Sequence, residues 1–255
     1  VGFLLSRRWV LFAIAVALLA VLAVRLGEWQ FHRLADREER NGFIAQNIDA
    51  DPVPVDRVLS PDEDVPLERE WLRVTATGEY DDAATVVVRY QTRDGQPGVD
   101  LVTPLRTDAG AAVLVDRGWL STPNTGTVPT DLPAPPSGEV TVTGWVRADG
   151  SGSSTVVEDG STRAISSAAI GETVDYPLYE GFVDAETEDP AAGTTLVRTE
   201  LPDLGNGPHF FYGLQWWFFG LLAVFGFGYL VWDERRRMRR GQAPGKASQE
   251  SVNTP

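Results

Sequence analysis

Two transmembrane helices flanking one extracytoplasmic, antiparallel β-rich domain, a small barrel or sandwich with a few short helices, is the architecture the sequence predicts. Three observations predict it. The apolar residues, 43% of the 255, are concentrated in one run near each end. Arginines cluster on the outer side of each run. Between the runs lie short segments rich in β-branched and aromatic residues, parted by turn residues.

The first run, Trp9 to Leu26, carries a single charge, Arg25. As a helix it measures about 27 Å, close to the hydrocarbon thickness of a bilayer. The second, Phe210 to Trp232, has no charge, and at about 34 Å it is long enough to cross with some tilt. A cleaved signal peptide is the rival reading of the first run, because Arg7 and Arg8 precede it. The polar, helix-like continuation GEWQFHRLADREERNGFIAQ, where a turn-rich cleavage region would stand, favours an uncleaved anchor. Arg7 and Arg8 before the first span and RRRMRR after the second put both termini in the cytoplasm. The expected layout is a cytoplasmic N-terminus (1–8), a first span (9–26), an extracytoplasmic domain (27–209), a second span (210–232) and a basic, disordered cytoplasmic tail (233–255).

Charge follows the same division. Residues 1–26 and 233–255 each carry +3, and the part between carries −20. That acidity tells against nucleic acid as a partner and leaves membrane lipid as the expected contact of the basic ends. The absence of cysteine excludes disulfides and thiolate zinc sites. His32 and His209 are the only imidazoles, so one chain cannot build a multi-histidine metal site. There is no G-x-S-x-G elbow, no H-E-x-x-H and no phosphate-cradling glycine loop, and an enzyme is not expected. One lysine against 21 arginines, with no transit-type leader, points to a bacterial cell membrane.

After the link DPVPVD, six segments read as strands: WLRVTATGEY, ATVVVRYQT, VDLVTPLRT, AAVLVDRGWLS, GEVTVTGWVRA and YPLYEGFVDAE. TRDGQPG and TDAG supply turns. STPNTGTVPTDLPAPPSG reads as a long loop, and GSGSSTVVEDGSTRA as a flexible insertion followed by a short helix.

These segments carry a family resemblance. LGEWQFHRLADR resembles the G-x-W-Q-x-x-R signature of the Surfeit locus protein 1 family, with Arg37 where lysine is usual. GVDLVTPLRTDAGAAVLVDRGWLS is similar to that family's V-T-P … V-x-R-G-[WF] segment, GEVTVTGWVR to the strand after it, and PHFFYGLQWW to its closing H-x-x-Y-x-x-x-W pattern. Across Ser151 to Gly171 the His-Trp dipeptide of many members is missing. The resemblance implies an assembly factor for haem-copper cytochrome c oxidase, acting around haem a delivery to the catalytic subunit. It implies that subunit as partner, with haem a synthase as a second one, and haem a as a transient cofactor held through His209.

Residue chemistry can be set beside this. At about 100° per residue, His209, Gly213, Trp216 and Gly220 fall near one helical face, with Tyr212 at its edge. A haem needs an axial ligand, an apolar slot and a group to meet its propionates. His209 suits the first as metal ligand, and Tyr212 and Trp216 suit the second. Trp29, Arg33 and Arg37, spaced i, i+4 and i+8, form a stripe for the third. The plainer reading is that aromatic and imidazole groups anchor the helix at the interface, that Trp29 with Gln30 and Arg33 packs the first helix against the second or against the domain, and that Gly213, Gly220, Gly226 and Gly228 serve helix packing. His32 lies across the helix from the stripe. Asp116, Arg117 and Trp119 read as a domain-to-membrane contact or as a strand ending in a glycine turn. Three classes of function remain open: a haem-handling assembly factor, a cofactor-free accessory that docks on the oxidase or another envelope complex, and an unrelated sensor or envelope structural protein. Oligomeric state is not legible.

Overall fold

The computed structural model of the chain describes residues 2–123, 129, 131–193 and 196–241. Helix α1 (Arg7–Ile48) is followed by strands β1 (Val53–Pro54), β2 (Arg73–Tyr80), β3 (Val86–Arg93), β4 (Gln96–Thr107), β5 (Ala112–Ser121), β6 (Glu139–Arg147) and β7 (Ser161–Thr162). Helix α2 (Ser167–Gly171), strand β8 (Leu178–Asp189) and helix α3 (His209–Gly241) complete the chain. It divides into two compact units, Val1–Glu38 with Gly205–Pro255, and Glu39–Leu204.

In the helical unit, the apolar runs 9–26 and 210–232 lie inside α1 and α3, each long and apolar enough to cross a membrane. Only 17% and 6% of their most apolar stretches are buried. α3 continues as helix through Arg235, Arg236, Arg237 and Arg239 to Gly241. The remainder of the expected disordered tail, 242–255, lies outside the described residues.

The second unit is an eight-stranded mixed sheet, β1-β2-β6-β8-β5-β4-β3-β7. Because β2 pairs with both β6 and β4, strands β2, β6, β8, β5 and β4 close into a five-membered ring, the barrel alternative of the sequence reading. The seam is short, with Gly78 opposite Thr107, Glu79 opposite Arg106 and Tyr80 opposite Leu105. Gly78 permits it, since a Cβ there would stand 2.1 Å from the Arg106 carbonyl oxygen.

All six strand segments read from the sequence are present, but the expected antiparallel order is corrected: β5 runs parallel to β8, β1 to β2, and β3 to β7. The reason is connection length. Tight turns join only β3 to β4, through Asp94 and Gly95 at positive φ, and β4 to β5. The stretches 122–138 and 148–177 are long enough to cross over, as parallel neighbours require. Strands β1 and β7, two residues each, leave no periodic signal.

Valines fill the barrel interior, with Val74, Val113, Val115, Val140, Val142 and Val183 almost wholly buried. Their alternation along β2, β5, β6 and β8 places one side of each strand inward. A second core, with Val86, Val88, Val102, Leu114 and Phe182, lies under Ile165, just before α2, and Ile170 of α2 itself. The insertion read as flexible is therefore an ordered cover: Thr162 is buried, and its single hydroxyl hydrogen is shared between the Ser154 and Ala164 carbonyls, each 3.0 Å away. The short helix expected after it is α2, capped by the Ser166 hydroxyl, which accepts from the Ala169 N–H.

Candidate functional site

Small residues set the approach of α1 and α3. A Cβ on Gly27 would fall 2.2 Å from Trp217 Nε1, one on Gly213 2.8 Å from the Phe31 ring and one on Gly220 3.0 Å from Ala23 Cβ. Gly213 and Gly220 thus serve helix packing, the plainer of the two readings, and nothing approaches Gly226 or Gly228 within 4 Å. Further along, Phe12 packs on Phe227 with ring centroids 5.4 Å apart.

Where α3 begins, His209 Nδ1 meets Gln30 Oε1 of α1 at 2.9 Å. An amide oxygen only accepts, so Nδ1 carries the hydrogen, and in the neutral ring the Nε2 lone pair is left for another partner. A second tie lies next to it. Arg37 Nε donates to the Gly205 carbonyl at 2.6 Å, and Asn206 Nδ2 to Glu38 Oε1 at 3.1 Å. Gly207, at φ +63°, sits between Arg37 and His209: a Cβ there would lie 3.5 Å from Arg37 Nη1 and 3.6 Å from His209 Cδ2.

His209 and Arg37 are therefore neighbours, as the sequence places them, whereas Trp29 and Arg33 stand apart. A step of four residues overshoots one helical turn by about 40°. Relative to Gln30, Arg37 is turned by about 20°, Arg33 by about 60° and Trp29 by about 100°. Trp29 is accordingly 51% exposed, with the exposed Arg33 guanidinium 5.8 Å from its ring centroid. Tyr212 is exposed on α3, and Trp216 is half-buried with an edge contact to Phe219. His32 points outward and is exposed. Gln30, which the sequence offers as a packing residue of the first helix against the second, is the residue that meets His209; the pairing itself is not legible in the sequence. Among the described residues no group of three or more His, Asp or Glu could hold a metal ion, so for a metal this region offers a single imidazole.

The domain holds charged groups of another kind. Arg117 is wholly buried. Its Nη1 and Nη2 donate to the Pro133 and Ala134 carbonyls at 3.0 and 3.1 Å, and its Nε lies 3.5 Å from Glu188. Glu188 also accepts from the Tyr80 hydroxyl at 2.7 Å and from Arg198 at 2.8 Å. Burial, then the Glu188 charge, pushes the Tyr80 phenol far above its ordinary range. Asp116 and Trp119 are buried too, which corrects the domain-to-membrane reading of this segment. Gly118 does not end the strand either: at φ +122° it lets the chain at Val197 pair with Trp119 in both directions, at 2.8 and 2.9 Å.

A cavity of about 350 Å³ in the domain is lined by, among others, Asp100, Asp116 and Asp184. Arg93 reaches Asp100 at 3.1 Å and Arg147 reaches Asp184 at 2.7 Å, while Asp116 accepts from the Gly118 N–H. Burial pushes the Asp100 carboxyl up to about 6, with Arg93 opposing and Asp184 adding to it. Asp116 and Asp184 are raised by the same desolvation. No sequence spacing announces this trio, because the sheet assembles it from β4, β5 and β8.

Comparison with known proteins agrees with the helix-pair signature and the barrel segments alike. SURF1-like proteins of Mycobacterium tuberculosis and Mycobacterium bovis are 31% identical over 256 residues, which covers 95% of this chain and 90% of theirs. The cytochrome oxidase assembly protein SHY1 of Saccharomyces cerevisiae is 28% identical over 102 residues, 40% of this chain and 26% of SHY1. The SURF1 family profile matches residues 17–221, from inside the first apolar run to inside the second, and the chain belongs to that family.

Proposed function

We propose that the chain is a membrane-anchored assembly factor for haem-copper cytochrome c oxidase, handling haem a on its way to the catalytic subunit. Family membership and the assembly role in the name of SHY1 support the oxidase level of this reading. Two weakly buried apolar helices support the anchor, with both termini in the cytoplasm and the acidic domain outside. The protein acts by binding rather than by catalysis.

The observation that carries the haem level is the His209–Gln30 pair. Haem a is the cargo, and its iron accepts an imidazole nitrogen as axial ligand. Gln30 holds the ring by Nδ1 and so presents Nε2, the arrangement in which a second partner fixes both tautomer and orientation of a ligating histidine. Arg37, on the other side of Gly207, is placed to meet a carboxylate. Tyr212, Trp216, Trp29 and Arg33 would border the cargo on the exposed sides of the two helices. Haem a synthase as donor and the oxidase catalytic subunit as recipient complete the proposed route.

One observation favours the cofactor-free alternative. Gly213 and Gly220 are filled by Phe31 and Ala23, so the helices leave no slot there for a flat ring. An accessory that docks on the oxidase through its helices would have the same contacts. The full chain, purified in detergent from cells making haem a, separates the two. A Soret band that disappears in His209→Ala supports haem handling; colourless protein that still copurifies with the oxidase supports the accessory. Normal oxidase activity in membranes of a deletion strain would overturn both.

A further inference from the structure

Where the apolar runs give way to arginine at the chain's two ends, α1 and α3 enclose a cavity of about 400 Å³ lined by Arg8, Trp9, Phe12, Leu230, Asp233, Glu234 and Arg237. Its floor is apolar, and Trp9 and Phe12 pack there on Phe227 with ring centroids 6.0 and 5.4 Å apart. Its rim is ionic and drawn from both helices. Arg237 Nε holds Asp233 at 2.9 Å. Arg8 and Glu234, of opposite charge and on different helices, have neither hydrogen-bond nor ionic partner among the described residues, and both face the cavity. The volume lies within the range of small-ligand sites.

We infer that this cavity binds the headgroup of an aminophospholipid, a phosphodiester bearing a primary ammonium group, as in phosphatidylethanolamine. The inference rests on the membrane-spanning reading above, under which an apolar floor with an ionic rim lies at headgroup depth. The surrounding Arg7, Arg235, Arg236 and Arg239 would by themselves draw any anionic lipid, and the two carboxylates in the lining are superfluous to that task. They repel an anionic headgroup that carries no cation. A headgroup with both charges satisfies both free groups at once, its phosphate on Arg8 and its ammonium on Glu234. Primary ammonium fits better than trimethylammonium because it has N–H groups to donate to a carboxylate, and charge-assisted hydrogen bonds are the strong ones.

Native mass spectrometry of the full chain in detergent, titrated with phosphatidylethanolamine, phosphatidylglycerol and phosphatidylcholine of the same acyl chains, tests this. Phosphatidylethanolamine is expected to bind about fivefold more tightly than either of the others. Glu234→Gln should abolish that preference, Arg8→Gln should weaken all three lipids, and Arg239→Gln, outside the cavity, should leave the preference intact. Equal or tighter binding of phosphatidylglycerol, or a preference that survives Glu234→Gln, would overturn the inference. Thiol labelling of single-cysteine variants in intact cells checks the spanning arrangement separately: a cysteine at position 247 should be shielded and one at 149 should react.

Discussion

The helix pair and the barrel treat polar groups in opposite ways. In the barrel, Arg117, Glu188, Asp116 and Asp184 are buried and answered from within the domain, by Tyr80, Arg198, Arg147 and backbone carbonyls or amides. In the helix pair the apolar faces are the exposed ones, and its polar contacts, Gln30 with His209 and Arg37 with Gly205, stand half-exposed where α3 begins. A charge that is buried and satisfied holds a fold together. Apolar surface suits contact with lipid, and the imidazole nitrogen left open is what the proposed haem handling would use. The contrast places the arginine and aspartate networks in the sheet and, under the proposed function, recognition on the helices.

The largest effect that would break this division is expected at Arg117. Replacement by Leu strips Glu188 of one counter-charge and leaves the Pro133 and Ala134 carbonyls without donors, at a cost of roughly 3–5 kcal/mol. Denaturant titration of the full chain in detergent, followed by near-ultraviolet circular dichroism, should show that loss. A change below about 1 kcal/mol would remove Arg117 from the stability side.

Next comes pH. The folded state keeps a proton on Asp100 that the unfolded chain releases above its ordinary value of 3.8. The stabilisation is complete below that value and is lost as pH rises through about 6. The contribution is roughly 3 kcal/mol, and Asp116 and Asp184 act in the same sense. The domain should melt higher at pH 5 than at pH 7.5, and Asp100→Asn should reduce the difference, leaving the share of Asp116 and Asp184. A melting temperature that climbs with pH across this window would reverse the sign.

On the recognition side, Gln30→Leu should leave the melting curve unchanged while weakening haem affinity about tenfold and shifting the Soret band, whereas Gln30→Glu, which keeps an acceptor for Nδ1–H, should restore binding. Loss of secondary structure in Gln30→Leu would move this residue to the structural column. The smallest effect is expected at Arg33. Turned away from Gln30 and exposed, it should reduce oxidase maturation by less than about twofold on replacement by Ala, with insertion intact. Severe loss of the oxidase spectrum in that variant would restore Arg33 to the centre of the site.

What could be read in the chain follows from the range of the forces involved. The apolar runs and six strands announce themselves through local periodicity, and a family signature brought Arg37 and His209 to the same end of the helix pair. The parallel pairing of β5 with β8 could not be read, since it depends on where long connections lead. The same holds for the Asp100, Asp116 and Asp184 trio, contributed by three strands distant in sequence. The stripe of Trp29, Arg33 and Arg37 was legible in spacing, yet the 40° drift per step decides which member meets α3. Arg117 reads as part of a domain-to-membrane contact or a strand end, since arginine seldom lies in a core, and only the ring of strands shows what encloses it.

The short seam between β2 and β4 governs how the barrel opens. Three residue pairs join these strands, against seven between β2 and β6, so on backbone pairing alone the ring would part there first. Tyr80, at the end of that seam, is bolted to Glu188, and through it to Arg117 and the carbonyls of Pro133 and Ala134. Unzipping must therefore release a tyrosine, an ion network and a remote loop as one event, and a locally weak join opens only with the cooperativity of the whole domain.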